Sequence, residues 1–288
     1  MKKILITGGS GFIGGYVYRY FHECGYNVLN YDIKGEQTDD TFIKGSILDF
    51  DLVRRAVEEA DVIFHFAGFS NINLVKTHPK ECIELNITGT ANFLEAIRLK
   101  GNGRFIFASS VYVHNTNGHF YTTSKLASEL ICNNYLALYE IPVTILRLGT
   151  VYGENSRHDD VVSIFVKKAC LGEPIVIHGT GRQKRHFIHG EDIARACQQI
   201  VDKDITNRTL ILAGKNEVTI NELADIVKKN INKDVFIKRL ERTGREDDYQ
   251  GDVSDTNLRE TFKVLGWEPE IDIIEGVNRL IKYFKERG

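Results

Sequence analysis

The stretch that decides the fold is Lys3-Ile4-Leu5-Ile6-Thr7-Gly8-Gly9-Ser10-Gly11-Phe12-Ile13-Gly14. Residues 3–6 form a strand-like run, and the remainder is a glycine-rich turn. A helix-compatible segment follows over residues 15–24, and a second strand-like run over 27–31 ends at Asp32. The pattern predicts one β-α-β unit with a glycine turn at its start and an acid at its end.

The glycines and the acid together predict a dinucleotide site. Gly8, Gly11 and Gly14 let a pyrophosphate approach the backbone closely, above the positive end of the following helix. Asp32 comes eighteen residues after Gly14, where a carboxylate accepts hydrogen bonds from the adenosine ribose and repels a 2′-phosphate. We therefore expect NAD rather than NADP. The spacing is G-x-x-G-x-x-G, and the alternative interpretation is a strand–helix turn that binds nothing.

Strand-like and helical patterns alternate through the first half of the chain. The runs at 62–66, 104–108 and 143–148 are almost continuously apolar, as strands covered on both faces must be. Helices are predicted at about 49–59, 79–99 and 122–139, with Pro79 in the first turn of the second. The expected fold class is therefore α/β, with a doubly wound parallel sheet of the Rossmann type.

The pattern changes after about residue 150. Loops lengthen, and helices predicted at 220–230 and 273–286 have less sheet between them. We expect a Rossmann domain over 1–150, which also includes about 186–213, and a smaller C-terminal α/β substrate lobe over 151–288. Such a lobe would lie over the carboxyl ends of the strands, where ligands bind in open α/β sheets.

Composition excludes several classes of partner. The net charge is −2, which gives no electrostatic case for nucleic acid or an anionic membrane surface. No apolar run approaches transmembrane length, and no metal-ligand spacing is present. The five cysteines are scattered, odd in number and without a C-x-x-C pair, which predicts reduced thiols in the cytoplasm.

One group of three residues predicts catalysis. Tyr121 and Lys125 are four residues apart, and hence on one face of a helix. A cation beside a tyrosine favours the phenolate and lowers its pKa toward physiological pH, so that the phenol can exchange a proton with a hydroxyl. Ser110 ends a predicted strand eleven residues upstream, within easy reach of a loop. The alternative interpretation is a surface tyrosine–lysine pair and a serine in an ordinary turn.

Motifs along nearly the whole chain carry a family resemblance. They are the turn at 7–14, Phe66-Ala67-Gly68, Asn86-Ile87-Thr88-Gly89-Thr90, Ser110, Tyr121 with Lys125, and the segments 146–153, 179–192 and 265–269. With them, the chain resembles the extended short-chain dehydrogenase/reductases, specifically the NAD-dependent epimerase/dehydratase family of nucleotide-sugar enzymes that includes UDP-glucose 4-epimerase.

The resemblance implies a role for each matching residue. Tyr121 would be the acid/base, Lys125 its pKa tuner and a ribose ligand, and Ser110 the hydrogen-bond donor to the reacting oxygen. The implied cofactor-binding residues are Gly8, Gly11, Phe12, Ile13, Gly14, Asp32, Ser46 and Ile47 beside the adenine, Phe66, Ala67 and Gly68 along the centre, and Asn86. On the substrate, the implied residues are Arg185 and Arg245 at the diphosphate and Thr150, which replaces an asparagine common in relatives.

The resemblance implies an enzyme that acts on a nucleotide-linked sugar through a 4-keto intermediate, by epimerisation at C4. One-way oxidation at C4, or reduction of a 4-ketosugar, is the alternative within the class. Dehydratases and decarboxylases carry acids just after the catalytic serine or threonine, and Val111 and Tyr112 stand there instead. A non-catalytic NAD-binding sensor or assembly protein is the alternative from another class, although such relatives typically lose the tyrosine or the lysine.

The resemblance also implies a homodimer. Relatives pair the helix that carries the catalytic tyrosine with the helix near 79–99, which forms a four-helix bundle. The outward apolar positions expected here are Leu94, Ile97, Leu130 and Leu138.

Overall fold

The computed structural model describes residues 2–35, 40–71, 74–114, 120–156, 160–231, 234–241 and 253–287. Within them, seven strands form one sheet in which each neighbouring pair is parallel. From edge to edge these are β3 (Phe42–Lys44), β2 (Asn27–Asp32), β1 (Lys3–Thr7), β4 (Val62–His65), β5 (Arg104–Ser110), β6 (Val143–Leu148) and β10 (Arg208–Leu212). The predicted doubly wound α/β fold is confirmed, and the strand order reverses between β1 and β4.

Helices cover both faces of this sheet. On one face α1 (Phe12–Glu23) packs against α7 (Gly190–Asp202), and on the other lie α2 (Phe50–Glu58), α4 (Gly89–Lys100) and α5 (Phe120–Tyr139). Alternate residues of one strand enter different cores, since Ile4 and Ile6 belong to the first and Leu5 to the second. Burial on both faces explains why the strands are almost continuously apolar in sequence.

The helix predicted over 79–99 is interrupted. It consists of α3 (Pro79–Ile83), a π-helical turn over Glu84–Thr88, and α4, with Pro79 in the first turn as predicted. A π-turn inserts an extra residue into the helix and commonly occurs at functional sites. Here the turn carries Asn86, which is 2% exposed.

The remaining elements build a second, smaller group with its own apolar core. Its sheets contain β7 (Thr150–Tyr152), β9 (Lys184–His189) and β11 (Glu217–Thr219), and separately β8 (Ile175–His178) and β12 (Ile237–Leu240). The helices that share this core are α6 (Val161–Cys170), α8 (Ile220–Asn230) and α10 (Ile273–Arg287), while α9 (Asp255–Leu265) packs against β10. The helices predicted at 220–230 and 273–286 are therefore present.

The chain returns to the large sheet through α7 and β10. The short strands β7, β8, β11 and β12 were not predicted, because three or four residues give too little apolar pattern to recognise. The domain boundary near residue 150 stays a prediction.

The structure bears on two predictions about the surface, the outward-facing apolar residues and the lack of a membrane-spanning segment. Leu94 and Ile97 are 0% and 1% exposed and lie in the core between α4 and the sheet, so the prediction that they face outward is wrong. Leu130 and Leu138 are exposed, at 57% and 71%. Among the described residues, no helix has the length and apolar character needed to cross a membrane.

Candidate active site

A cavity of about 1000 Å³ opens at the carboxyl ends of the parallel strands. Its lining contains nearly all the predicted site residues: Gly8, Gly11, Phe12, Ile13, Gly14, Asp32, Ser46, Ile47, Phe66, Ala67, Gly68, Ser110, Tyr121, Lys125, Thr150 and Arg185. Asn86 is not in the lining, and Arg245 lies outside the described residues. Folding thus brings together residues that span most of the chain.

The glycine turn between β1 and α1 forms a tight backbone cradle. A Cβ on Gly8, whose φ is +74°, would lie 2.8 Å from the Ala67 nitrogen, and a Cβ on Gly14 would lie 2.3 Å from the Gly8 oxygen. Gly11 precedes α1 without a side-chain cap, and the first helical turn holds no acid. The N–H groups of that turn are therefore suited to an anion, and the cradle fits the pyrophosphate of a dinucleotide.

The carboxylate of Asp32 is fixed at the end of β2. Its Oδ2 accepts a hydrogen bond from the Ser10 backbone N–H at 3.0 Å, and its Oδ1 accepts one from the Lys34 N–H at 2.9 Å. The side chain is half-buried and lines the cavity beside the glycine turn. This position suits recognition of a ribose diol by a carboxylate and opposes a phosphate there.

The chain beyond β4 is held in place by buried polar contacts. The Ala67 N–H donates to Thr7 Oγ1 at 3.1 Å, and the same hydroxyl pairs with His65 Nδ1 at 2.9 Å. Burial lowers the pKa of His65 to about 3, which leaves the imidazole neutral. Residues 66–68 are thereby fixed at the point where the strand order reverses, which is where open α/β sheets bind ligands.

Asn86 supports this segment from behind. Its Oδ1 accepts a hydrogen bond from the Phe69 N–H at 2.7 Å, and its Nδ2 donates to Ser124 Oγ at 2.8 Å. A Cβ on Gly68 would lie 2.6 Å from Asn86 Oδ1, so glycine is needed there. The structure thus places Asn86 where it ties Gly68 and Phe69 to α5, and its contact with the cofactor stays a prediction.

Ser110, Tyr121 and Lys125 line the same part of the cavity. Ser110 ends β5, and the other two lie at the start of α5. Ser110 Oγ accepts a hydrogen bond from the Tyr112 N–H at 3.3 Å, and the Ser110 side chain is also hydrogen-bonded to Tyr121. A serine hydroxyl and a phenol that share a hydrogen bond can both contact one oxygen of a substrate.

The electrostatics of this group differ from the sequence-based expectation. Burial and the neighbouring Cys82 thiol raise the pKa of Tyr121 to about 12, and the hydrogen bond with Ser110 only partly opposes them. Burial lowers the pKa of Lys125 to about 8. The Lys125 ammonium donates to the Ala108 carbonyl at 2.8 Å and lies 4.8 Å from the Phe107 ring centre. Burial of the phenol outweighs the lowering of the Tyr121 pKa that was expected from this lysine.

A buried ion pair anchors the helix that carries Tyr121. Glu129 is 3% exposed and receives two hydrogen bonds from the Arg147 guanidinium, at 3.0 and 2.7 Å. It also accepts one from Ser109 Oγ at 2.5 Å. The carboxylate therefore joins α5 to β5 and β6 directly below Ser110. Sequence reasoning missed this group, although a glutamate one helical turn after Lys125 was a possible signal.

The far side of the cavity holds the predicted substrate residues. The hydroxyls of Thr150 and Tyr112 are 3.1 Å apart, and the Arg185 guanidinium carbon is 5.6 Å from the centre of the Tyr112 ring. The strands β7 and β9, which carry Thr150 and Arg185, are neighbours. Tyr112 was not predicted as a site residue, although its place two residues after Ser110 was a signal.

Asp160 is a further residue that sequence reasoning missed. Its Oδ1 caps α6 by accepting a hydrogen bond from the Ser163 N–H at 2.9 Å, and the residue lines the cavity with Ser156 and Val161. The signal was an aspartate directly before an apolar helical run. Among the described residues, no cluster of three or more histidine, cysteine or acidic side chains suits a metal ion.

Comparison with known proteins defines the class. Residues 4–213 match the model of the NAD dependent epimerase/dehydratase family. The chain therefore belongs to this family, and the cofactor that its site fits is NAD. The resemblance found in the sequence and the expected NAD dependence are both confirmed.

Individual relatives are similar over their full lengths. A putative UDP-glucose 4-epimerase from Methanocaldococcus jannaschii is 30% identical over 99% of both chains. A UDP-glucuronate 4-epimerase from Thermodesulfobacterium geofontis is 28% identical over 99% of this chain and 97% of its own. Among solved structures, the UDP-glucose 4-epimerase of Thermotoga maritima has a TM-score of 0.86 and 26% identity, and covers 99% of both chains.

Proposed function

We propose that this protein is a nucleotide-sugar epimerase that inverts C4 through a 4-keto intermediate, with UDP-hexoses as its first candidate substrates. The observation that carries the proposal is one cavity with three parts in sequence. The glycine cradle follows β1, Ser110 ends β5 beside Tyr121, and Arg185 lies on β9, which pairs with the strand that follows β6. The relatives named as UDP-sugar 4-epimerases support the substrate class.

The residues in the middle of the cavity carry the proton chemistry. When bound, NAD supplies the acceptor and then the donor of the hydrogen at C4, together with a positive charge. Tyr121 takes the proton of the 4-hydroxyl and later returns it, while Ser110 donates a hydrogen bond to the same oxygen. Because burial keeps Tyr121 protonated, its ionisation depends on positive charge nearby, and Lys125 is the residue of this chain that provides it.

The residues around the cradle are assigned to NAD in this proposal. Gly8, Gly11 and Gly14 with the start of α1 hold the pyrophosphate, and Asp32 holds the adenosine ribose. The remaining wall residues contact the adenine and the centre of the cofactor: Phe12, Ile13, Ser46, Ile47, Phe66, Ala67 and Gly68. Lys125 also contacts the nicotinamide ribose.

Arg185 is assigned to the diphosphate of the substrate. A planar guanidinium donates two parallel charge-assisted hydrogen bonds to phosphate, and Arg185 lies across the cavity from the glycine cradle. Thr150 lies beside it and is assigned to the sugar diphosphate as well. Arg245 stays a prediction as the second arginine.

The wall after Ser110 argues against dehydration and decarboxylation. A mouse dTDP-D-glucose 4,6-dehydratase is 26% identical over 99% of this chain and 89% of its own, so dehydration is a competing activity for this fold. Val111 is 3% exposed and packs in a small apolar cluster, and Tyr112 presents a phenol. Neither side chain supplies the extra carboxyl group that elimination or carboxylate chemistry at C5 would use.

A substrate panel tests the proposal. UDP-, dTDP-, GDP- and CDP-linked hexoses are incubated with the protein, and products are followed by mass spectrometry and by NADH absorbance. A product of unchanged mass without net NADH is expected for at least one UDP-hexose. A loss of two mass units with accumulating NADH would indicate one-way oxidation instead, and a loss of water would indicate a dehydratase.

We also propose a cytoplasmic homodimer. The exposed side chains of Leu130 and Leu138 on α5 give this helix an apolar outer surface, and all five cysteines are unpaired thiols. Sedimentation at micromolar concentration should show a dimer that Leu130→Glu converts to a monomer. A wild-type monomer under these conditions would contradict the assembly.

A further inference from the structure

The tyrosine two residues after Ser110 is half-buried in the cavity wall and has no part in the mechanism above. Tyr112 contacts two residues that come from other strands, Thr150 and Arg185. We call these three residues the Tyr112 cluster. Within it, Tyr112 contacts both Ser110, through its backbone N–H, and Arg185, through its ring.

The Tyr112 ring is held from several sides. Its hydroxyl is 3.1 Å from Thr150 Oγ1, and its N–H donates to Ser110 Oγ at 3.3 Å. The ring packs against a buried apolar cluster made of Val111, Ile211, Ala213 and Leu258. An aromatic ring with a bonded hydroxyl and a packed base has little rotational freedom, so it can serve as a fixed support for a neighbour.

Arg185 rests on this support. Its guanidinium carbon is 5.6 Å from the ring centre, within the range of a cation–π contact, and its Nη1 donates to the Lys184 carbonyl at 2.9 Å. A planar guanidinium bound at one nitrogen and placed against an aromatic ring is restricted in orientation. The Tyr112 ring and the Lys184 carbonyl therefore both restrict the direction of its donor fork.

We propose that Tyr112 is a positioning residue for the diphosphate of the substrate: its ring orients the Arg185 guanidinium, and its backbone N–H orients Ser110. The inference rests on the proposed function, because it takes Arg185 as the phosphate contact. A single residue then fixes the distance between the diphosphate contact and the oxygen that reacts. The aromatic ring is what Arg185 requires, and the hydroxyl is secondary.

Calorimetric titration of UDP into variants of Tyr112 separates the contribution of the aromatic ring from that of the hydroxyl. Tyr112→Leu and Tyr112→Met both remove the ring, and each should weaken UDP binding by about fivefold or more. Two variants are made so that the test remains possible if one of them does not fold. Tyr112→Phe keeps the ring and should stay within about twofold of the wild type. NAD affinity should be unchanged in all three. Tyr139→Leu is the matched control, because it removes an exposed arginine–tyrosine contact of similar length, 5.3 Å, outside the cavity.

A thermodynamic cycle tests whether Tyr112 acts through Arg185. In an Arg185→Ala background, Tyr112→Leu should cause no further loss of UDP affinity. With the true substrate, Tyr112→Leu should raise KM while kcat stays within about twofold. Wild-type UDP affinity in Tyr112→Leu and Tyr112→Met, or losses that multiply in the Arg185→Ala background, would overturn the inference alone. Failure of the wild type to bind any nucleoside diphosphate would instead overturn the proposed function, and the inference with it.

Discussion

Tyr121 is half-buried in the cavity wall, where its phenol shares a hydrogen bond with Ser110 and removal from water raises its pKa to about 12. Replacing it with phenylalanine removes the transferable proton and little volume. We expect Tyr121→Phe to fold and to bind NAD normally, while turnover falls by about 10²-fold or more. Steady-state kinetics with calorimetry of NAD binding checks this. A nearly normal rate in the variant would mean that another group moves the proton.

Lys125 should make the free energy of unfolding increase with pH. Its pKa is about 8 in the folded protein and near 10.5 when unfolded, so the unfolded chain binds more protons between these values. Stability should therefore rise as pH increases through this window. Between pH 7.5 and 9.5, the free energy of unfolding of the cofactor-free protein should rise by about 2 kcal/mol relative to Lys125→Met.

Urea unfolding of both proteins at the two pH values measures this difference. The window stops below pH 10 because Tyr121 titrates above it: its pKa is raised on folding, so its stabilising effect is lost at higher pH. A difference that is constant with pH, or that shrinks as pH rises, would show that the lysine is not buried as a cation at neutral pH.

Asp32 is the residue that we expect to determine the preference for NAD over NADP. A carboxylate fixed by two backbone N–H groups cannot turn away from a 2′-phosphate without losing them. Wild-type protein should therefore bind NAD more tightly than NADP. Asp32→Ala should reduce the ratio of the two dissociation constants by about tenfold or more. Calorimetry with both nucleotides measures the ratio. An unchanged preference in the variant would assign the discrimination to other residues.

Among single residues, those in contiguous patterns could be predicted. The glycine turn, Asp32, Ser110, Tyr121 and Lys125 stand in short motifs at strand ends, and all of them line the cavity. The pKa of Tyr121 could not be predicted, because it depends on how far folding removes the phenol from water and on the neighbouring Cys82 thiol. Contacts such as Arg185 with Tyr112 join distant parts of the chain, so no local pattern contains them.

At the scale of elements, α5 is the helix that holds the catalytic side chains, and Glu129 anchors it. Removing one partner of a buried, hydrogen-bonded ion pair costs about 3–5 kcal/mol, because the other charge stays buried. Glu129→Gln should therefore lower the free energy of unfolding by about 2 kcal/mol or more. It keeps the shape of the side chain, so the loss is electrostatic.

The control for this variant is Glu173→Gln, which breaks an exposed pair with Lys168 at 3.6 Å. Exposed pairs contribute about 0–1 kcal/mol, so this change should be close to neutral. Denaturant unfolding of the two variants makes the comparison. Equal effects would show that the Glu129–Arg147 pair does not anchor α5.

The elements divide by how clearly the sequence marks them. Five of the buried parallel strands (β1, β2, β4, β5 and β6) and the helices α1, α2, α4, α5, α8 and α10 were predicted, because apolar runs and amphipathic spacing extend over many residues. The helix α7 and the strand β10 were not. The π-turn around Asn86 was not, since an extra residue in a helix leaves no compositional trace. The outward placement of Leu94 and Ile97 was wrong because helical spacing alone does not show which face meets the sheet.

At the scale of the whole molecule, the cavity depends on two groups of elements. The large sheet supplies the cradle, Asp32 and the catalytic hydroxyls, while β7, β9 and the start of α6 supply Thr150, Arg185 and Asp160. The ends of the cavity therefore bind different molecules in the proposed reaction. Motifs showed the first group clearly. In the second group they showed Thr150 and Arg185, but not Asp160 or most of the short strands.

Retention of the hydrogen at C4 is the most direct test of the central claim. The UDP-hexose identified in the substrate panel is prepared with deuterium at C4, incubated with the NAD-loaded protein, and analysed by NMR. We predict a C4 epimer that retains the deuterium at C4, with no net NADH, because the hydrogen leaves and returns within one closed site. Loss of the deuterium to solvent, or a C4 epimer formed equally well by Tyr121→Phe, would contradict the account.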